Sequence, residues 1–286
     1  RKNGGLMYAN GKNSKITLQY CQGMALIAKH SGGLLHAENQ SSILIEDSTF
    51  MNLLANKGGT VSLSDQGTMA SIKRSTIQQT TAHSLGGGLH LNKQAILHLK
   101  NTKWKNLEVQ GEQGGAGMYL ENGAQVQGGS ISESNIFTQL KAHVGAGIVS
   151  NGKNVVATGL SFNQLHAERG AGIYVLQNHV EKVENVEATN LKLSNIDIFK
   201  ANATLSGAGI YSFHSNSIVE INDIQFNQIW SKKGGVAHIF NSSLSILNLR
   251  VEHSQVETIG GLALLEESAT LLVDGGSMNN ISSLQN

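Results

Sequence analysis

One short unit recurs along the whole chain, and this repetition restricts the possible folds more than any other feature. The unit reads "GAGIYVLQNH" from Gly170 and "GAGIYSFHSN" from Gly207, and its pattern is two small residues, one variable residue and one apolar residue. It occurs ten times, beginning at Gly4, Gly32, Gly58, Gly86, Gly115, Gly145, Gly170, Gly207, Gly234 and Gly260. A glycine-rich phosphate loop occurs once per site, so ten copies favour a structural repeat.

Each repeat contains three short apolar segments. The first follows the glycines and alternates between apolar and polar residues, as in "GGGLHL" and "GAGMYL", which is typical of a strand with one buried face. The second resembles "SILIE", and the third surrounds one large residue. We predict that these large residues are Met24, Phe50, Ile77, Trp104, Phe137, Phe162, Leu193, Phe226, Val251 and Met278.

Three strands per repeat, with no long amphipathic segment between them, predict an all-β fold. We expect a right-handed single-stranded parallel β-helix of about ten coils, formed by residues 1–286 as one domain. At a strand spacing of ~4.8 Å the rod would be about 48 Å long. The absence of proline agrees with this prediction, because proline would remove a backbone donor from a sheet in which nearly every group is paired.

Three residues before most of the large apolar residues stand turn formers such as Asp47 and Asn101, which tolerate a left-handed backbone. Two residues after most of the large apolar residues stands an amide side chain, and we expect these stacked amides to pass hydrogen bonds from coil to coil. These amides are Asn52, Gln79, Asn106, Gln139, Gln164, Asn195, Gln228 and Asn280, and the two exceptions are Leu26 and His253. The longest repeat, residues 170–206, is expected to place "NIDIFKANATLS" in extra turn residues after its third strand.

The units "GAGIY", "STFMN" and "LSFNQ" resemble the Gly-Gly-Ala-Ile and Phe-x-x-Asn repeats of the polymorphic outer-membrane proteins and of the wider pectin-lyase-like β-helix group. The resemblance covers the whole chain. It implies a parallel β-helix, and it is compatible with adhesins, surface scaffolds, polysaccharide lyases and hydrolases alike.

Composition and charge argue against several classes of partner. The formal net charge is +1 and only 14% of the residues are charged, so we expect no nucleic-acid partner. No apolar run is long enough to cross a bilayer, so we expect no direct membrane span in this segment. We also predict no cofactor and no metal site, because the histidines of the repeat unit lie at least two coils apart.

The acidic residues do not form a recognisable catalytic pair in the sequence. Asp47 and Asp223 occupy equivalent positions six coils apart, roughly 29 Å at the strand spacing. Glu46 and Asp47 are adjacent, and an alternation of inward and outward side chains is expected to separate them. We therefore predict that the protein is not an enzyme. The alternative is a polysaccharide lyase or a glycoside hydrolase of the pectin-lyase-like group.

The fifth position of the repeat unit is the candidate binding surface. Because its neighbours are expected to point inward, its side chains should point outward to solvent, where tyrosine and histidine could contact a glycan or a protein. The candidates at this position are Tyr119, Tyr174, Tyr211, His90 and His238.

Four N-glycosylation sequons, at Asn39, Asn202, Asn241 and Asn280, favour an extracellular or cell-surface location. We also expect uncapped coil ends, because no amphipathic helix covers them. The chain is therefore expected to be a segment of a longer protein, or to stack on other segments or subunits. The predicted function is a stalk, a scaffold or an adhesin-like module, and a third alternative is a filament subunit that stacks end to end.

Overall fold

A computed structural model describes residues 3–129, 134–176 and 190–284. These residues form a parallel β-solenoid of about ten turns, and no helix occurs among them. The predicted all-β solenoid is therefore confirmed.

The described residues contain 23 strands, which pair in parallel from each coil to the next. In chain order they are β1 (Met7–Asn10), β2 (Lys15–Gln19), β3 (Gln22–Met24), β4 (Leu35–Glu38), β5 (Ser42–Glu46), β6 (Thr49–Lys57), β7 (Val61–Leu63), β8 (Met69–Lys73), β9 (Thr76–Leu85), β10 (Leu89–Leu91), β11 (Ile96–Lys100), β12 (Lys103–Val109), β13 (Met118–Glu121), β14 (Gln125–Gln127), β15 (Ile136–Lys141), β16 (Ile148–Asn151), β17 (Val155–Arg169), β18 (Ile173–Leu176), β19 (Asn190–Ser206), β20 (Ile210–Lys233), β21 (Ala237–Ile259), β22 (Ala263–Glu266) and β23 (Thr270–Ser283).

The strands form three ladders along the solenoid, as the three apolar segments per repeat predict. The first ladder follows the glycines and includes β1, β4, β7, β10, β13, β16, β18 and β22. The second starts with β2, β5, β8, β11 and β14, and the third with β3, β6, β9, β12 and β15. Later strands run through the bends between ladders, and β20 and β21 each contribute to all three.

The core is one continuous column of buried side chains inside the coils. Near the middle of this column is a stack of aromatic rings: the Trp104 and Phe137 ring centroids are 5.3 Å apart, and those of Phe137 and Phe162 are 5.2 Å apart. Two of the residues predicted to form the row of large core side chains in the third ladder are wrong. Phe50 pairs with Gly23 rather than Met24, and Phe162 pairs with Ile198 rather than Leu193.

The predicted position of the extra residues in the longest coil is also wrong, because it depended on the alignment at Leu193. β19 pairs with β17 in one register from Leu191 to Ala203, and after a bulge Ser206 pairs with Arg169, so "NIDIFKANATLS" belongs to the second and third ladders. The additional length of this coil lies within residues 177–189, which are outside the described residues.

The repeated glycine is required by its backbone conformation. All ten first glycines have a positive φ, between 54° and 80°, which residues with a side chain rarely adopt. At Gly32 a Cβ atom would lie 1.8 Å from the carbonyl oxygen of Leu35. The glycine therefore forms a corner that no other residue could form without a shift of the backbone.

A second left-handed position bends every coil within the third ladder. Its ten residues all have φ between 54° and 58°. They are Ala25, Asn52, Gln79, Asn106, Gln139, Gln164, Lys200, Gln228, His253 and Asn280. Seven of the eight predicted amides lie at this bend, whereas Asn195 does not, because strand pairing places Lys200 there. In the first coil the residue at the bend is Ala25 and not Leu26. Since Asn prefers the left-handed region more than most residues, the sequence preference and the bend agree.

Coil-to-coil contact at the second glycine gives a test of the packing. A Cβ atom at Gly235 would lie 2.3 Å from the carbonyl oxygen of Gly261, whereas at Gly261, in the last described coil, the nearest atom is Ile281 Cγ2 at 3.1 Å. We expect Gly235→Ala to lower the free energy of unfolding by roughly 1–3 kcal/mol, the usual cost of overpacking. Gly261→Ala is the matched control and should change it by less. Denaturant unfolding followed by circular dichroism measures both, and equal effects would contradict this account of the corner.

Candidate functional site

The fifth-position side chains form one uninterrupted row along the first ladder, which we call the stripe. Strand register pairs each member with the equivalent residue of the next coil. The stripe consists of Tyr8, His36, Ser62, His90, Tyr119, Val149, Tyr174, Tyr211, His238 and Leu264. The alignment predicted from the repeat is therefore confirmed, including the separation of His36 and His90 by two coils.

The predicted exposure of the stripe is wrong. Tyr119 is only 1% exposed, and His90, Tyr211 and His238 are also buried, while Tyr174 is half-buried. Tyr119 and Tyr174 pack with Leu85, Val149 and Leu176 in a small apolar cluster separate from the main core. Each stripe side chain leaves the interior of the coil, and in the inner coils its neighbours in adjacent coils and in flanking positions cover most of it. Tyr8, in the first described coil, is exposed.

The polar tips of the stripe bind a second row of side chains within the same chain. This row lies two residues further along each coil, and in most cases the partner belongs to the next coil. His90 Nε2 lies 2.9 Å from Glu121, Asn151 Nδ2 donates to the Tyr119 hydroxyl at 2.9 Å, and His238 Nε2 lies 2.7 Å from Glu266. Tyr8 donates in the same way to Glu38, which also lies 3.2 Å from His36 Nε2.

Not every polar atom of the stripe has a partner. The Nδ1 atoms of His36 and His238 are buried and form no hydrogen bond. Burial also lowers the pKa of His36 below its usual value, which favours the neutral ring. Burying a neutral imidazole costs less free energy than burying a charged one, so the His36 side chain is suited to packing.

Towards the C-terminal half, the stripe continues into an aromatic patch that is partly accessible. Tyr174 and Tyr211 stack with ring centroids 5.2 Å apart, and His238 packs edge-on against Tyr211 at 5.1 Å. Phe213 and Phe240 stack beside them at 4.5 Å, and Phe213 is exposed. In this region, the stripe and the two phenylalanines beside it leave aromatic surface accessible to a partner.

The adjacent carboxylates Glu46 and Asp47 are brought together, contrary to the expected alternation. Asp47 adopts a left-handed conformation, with φ at 50°, which turns its side chain to the same side as Glu46. Arg74 of the next coil donates to both: Nε lies 2.8 Å from Asp47 and Nη2 lies 2.7 Å from Glu46. The Arg74 guanidinium holds the pKa of Asp47 below its usual range, and hydrogen bonds from Gln19 and Arg74 lower the pKa of Glu46. Both groups are thus ionised near neutral pH and unsuited to donate a proton.

A second carboxylate pair was missed by the sequence analysis. Asp197 and Asp223, on neighbouring coils, line a surface cavity of about 160 Å³ together with Arg250 and amide side chains. The amides are Asn195, Gln225 and Asn248. Burial raises the pKa of Asp197, whereas Asn248 donates to Asp223 at 2.9 Å. Aligning the repeat on Ile198 instead of Leu193 would have placed Asn195 level with Asp223, and Asp197 close to it.

Two shallow depressions lie along the left-handed bend of the third ladder. One has a volume of about 550 Å³ and includes Asn52, Gln79, Asn106 and Gln139. The other, about 430 Å³, lies near the C-terminal end and includes Gln228, Trp230 and Asn280 among its lining residues. The amides at this bend therefore point their polar ends into open surface.

The four sequons are positioned differently. Asn39, Asn202 and Asn280 are exposed, while Asn241 is half-buried. Asn39 donates from Nδ2 to Asn10 at 2.9 Å, and this hydrogen bond must break before a glycan can be attached to that nitrogen.

The described ranges contain neither a cluster of metal ligands nor a membrane-spanning helix. Within residues 3–129, 134–176 and 190–284, no three His, Cys, Asp or Glu side chains gather into a group that could hold a metal ion. The same ranges contain no helix long and apolar enough to cross a membrane.

Comparison with family models, with curated proteins and with solved structures found no match for this chain. The parallel β-solenoid is therefore established from the chain's own register, and the assignment to the pectin-lyase-like group is not.

The burial of the stripe predicts a loss of stability at alkaline pH. Burial, followed by the neighbouring Tyr211, raises the pKa of Tyr174 from 10.0 to about 12. Because the folded pKa exceeds the unfolded one, stability is complete below pH ~10 and falls as the pH rises towards the folded pKa. We expect Tyr174→Phe to remove up to about 2 kcal/mol of this loss by pH ~12. Denaturant unfolding of both proteins at several pH values tests this, and parallel pH profiles would contradict the burial of Tyr174.

Proposed function

We propose that this chain is a non-catalytic structural β-solenoid, which serves as a stalk, scaffold or adhesin-like module of an extracellular or cell-surface protein. The observation that carries the proposal is the pairing of the stripe's polar tips with the chain's own side chains, as in His90 with Glu121 and Tyr119 with Asn151. Side chains engaged in this way stiffen the rod and are not free to hold a substrate.

The continuous core supports the same proposal. Buried apolar residues run from one end of the described coils to the other, with the aromatic stack of Trp104, Phe137 and Phe162 near the middle. Because every coil is bonded to the next along three ladders, bending the rod would break several hydrogen bonds at once. A long stiff element of this kind is suited to present or space other domains.

The extracellular location and glycan modification are part of the proposal. Three of the four sequons lie on exposed side chains, where an oligosaccharide transferase could reach them. We also propose that the resemblance to the pectin-lyase-like group reflects shared coil architecture. If a partner binds the side of the rod, the aromatic patch around Tyr211 and Phe213 is the best candidate surface for a glycan or a protein.

Secretion of the chain from a eukaryotic host tests the location and the modification together. We expect an N-glycosidase to reduce the mass of the secreted protein, with occupancy at Asn39, Asn202 and Asn280 and less at the half-buried Asn241. Peptide mapping after enzymatic release, with each Asn→Gln variant as a control, assigns the sites. A secreted chain with no glycan at any sequon would contradict the proposed glycoprotein.

The cavity at Asp197 and Asp223 favours one alternative, a polysaccharide lyase or glycoside hydrolase. A carboxyl whose pKa is raised by burial can act as a general acid, and the second carboxyl group of the cavity, Asp223, could act as the base or nucleophile. The volume weighs against this alternative. Ligand pockets usually enclose ~300–1,000 Å³, whereas this cavity has about 160 Å³.

Depolymerisation assays separate the structural proposal from this alternative. The purified chain is incubated with neutral and acidic polysaccharides, and new reducing ends and unsaturated uronic products are measured. We expect no release above that of Asp197→Asn/Asp223→Asn, which serves as the matched control because both substitutions keep the side-chain size. Sustained release that the double substitution abolishes would overturn the structural proposal and support an enzyme.

A further inference from the structure

The cavity at Asp197 lies between two rows of polar side chains on the side of the rod. In the first row, strand register pairs Asp197 with Gln225 and Gln225 with Arg250, so these residues follow one another on successive coils. The second row is the left-handed turn two residues earlier in each coil, with φ between 54° and 59°. Its members are Asn195, Asp223 and Asn248. The buried Ile224 also lines the cavity, which therefore combines polar walls with an apolar contact.

The charges of this cavity are not neutralised within the described part of the chain. Asp197 is half-buried, and among the described residues its carboxyl group has no hydrogen bond and no ion pair. Burial raises its pKa, and no nearby cation offsets the increase. In the same part of the chain the Arg250 guanidinium has no ion-pair partner either. By contrast, Asp47 and Arg74, which occupy the same turn in earlier coils, bond to each other at 2.8 Å.

Asp197 and Arg250 are too far apart to neutralise each other. Their strand positions are two coils apart, or roughly 10 Å at ~4.8 Å per coil. A ligand can connect them if it carries a positive group at one end and a carboxylate at the other. The ammonium and carboxylate groups of an α-amino acid are joined through one carbon atom, and a hydrogen bond of ~2.8 Å at each end extends this short molecule to a comparable span.

The volume of the cavity restricts the ligand to a small molecule. It encloses about 160 Å³, and a protein cavity of ~150 Å³ is able to hold benzene. Glycine, alanine and serine have about as many non-hydrogen atoms as benzene, whereas a hexuronic acid is considerably larger. A metal cation alone would fit the volume, but it would leave the positive charge of Arg250 beside it. The amides of the lining can both donate and accept hydrogen bonds, which suits a ligand with donors at one end and acceptors at the other.

We propose that this cavity binds a small α-amino acid in its zwitterionic form, with the ammonium group at Asp197 and Asp223 and the carboxylate at Arg250. The planar guanidinium matches a carboxylate, because two parallel N–H groups can donate to its two oxygens. The bound ammonium group supplies the positive charge that the half-buried Asp197 lacks. This binding site goes beyond the scaffold role and does not depend on it.

Isothermal titration calorimetry of the whole chain with L-alanine tests the proposal. We expect saturable binding at one site. Two analogues of similar shape separate the contributions of the charges: L-lactate has a hydroxyl in place of the ammonium group, and isopropylamine has a methyl in place of the carboxylate. Each should bind about tenfold more weakly or worse, because a hydrogen bond between charged groups is lost.

Substitutions in the cavity assign the two ends of the ligand. Asp197→Asn and Arg250→Gln should each weaken L-alanine binding about tenfold or more, whereas Arg250→Gln should not weaken isopropylamine binding further. Lys103→Gln is the matched control, since Lys103 is exposed, occupies the same row three coils before Asp197 and loses one positive charge as Arg250→Gln does. The control should bind L-alanine like the original chain. Arg250 is exposed, so its substitution should keep the fold, which circular dichroism verifies.

Three results would overturn the amino-acid site: no saturable binding of glycine, L-alanine or L-serine at millimolar concentration, equal binding of L-alanine and L-lactate, or binding that neither cavity substitution weakens. Tighter binding of a methyl glucuronoside than of L-alanine would also overturn it and indicate an acidic sugar as the ligand. None of these results bears on the scaffold proposal, which the depolymerisation assay tests separately, so the two failures are distinguishable.

Discussion

Parallel hydrogen bonding between successive coils, at a spacing of ~4.8 Å, is the constraint on which the rest of this structure depends. It requires that every coil follow the same path as its neighbours, so each bend must recur at the same place in all ten turns. The glycine corner and the bend at Asn52 and its equivalents meet this requirement with positive φ angles throughout. Where a second glycine touches the next coil, as at Gly235, there is no room for a side chain.

The same spacing determines how the polar side chains behave. A side chain directed away from the core lies about one strand spacing from the equivalent side chains of the preceding and the following coil. These two neighbours remove much of its contact with water. Tyr119 and His90 are buried by this stacking although they lie outside the main core. Their polar atoms then need partners, and the row containing Glu121 and Asn151 supplies them. Repetition thus converts a surface row into a second, partly polar layer of packing.

Repetition also makes the places where the pattern changes stand out. The Asp197 cavity is lined by residues of the coil whose length departs most from the repeat and of the two coils that follow it. Regular packing along the rod and a site on its side are therefore compatible with one fold, because they involve different residues.

The sequence by itself determined the solenoid, its three ladders and the glycine corners, because each depends on a local pattern that recurs ten times. It also placed the stripe in correct register. It failed at Leu193, where an unusual coil length made two alignments possible and only strand pairing identified Ile198. It failed again for the exposure of Tyr119 and for the separation of Glu46 and Asp47, which Arg74 of the next coil brings together. Burial and ion pairing of this kind depend on contacts between residues about one coil apart in sequence, so only the tertiary structure could decide them.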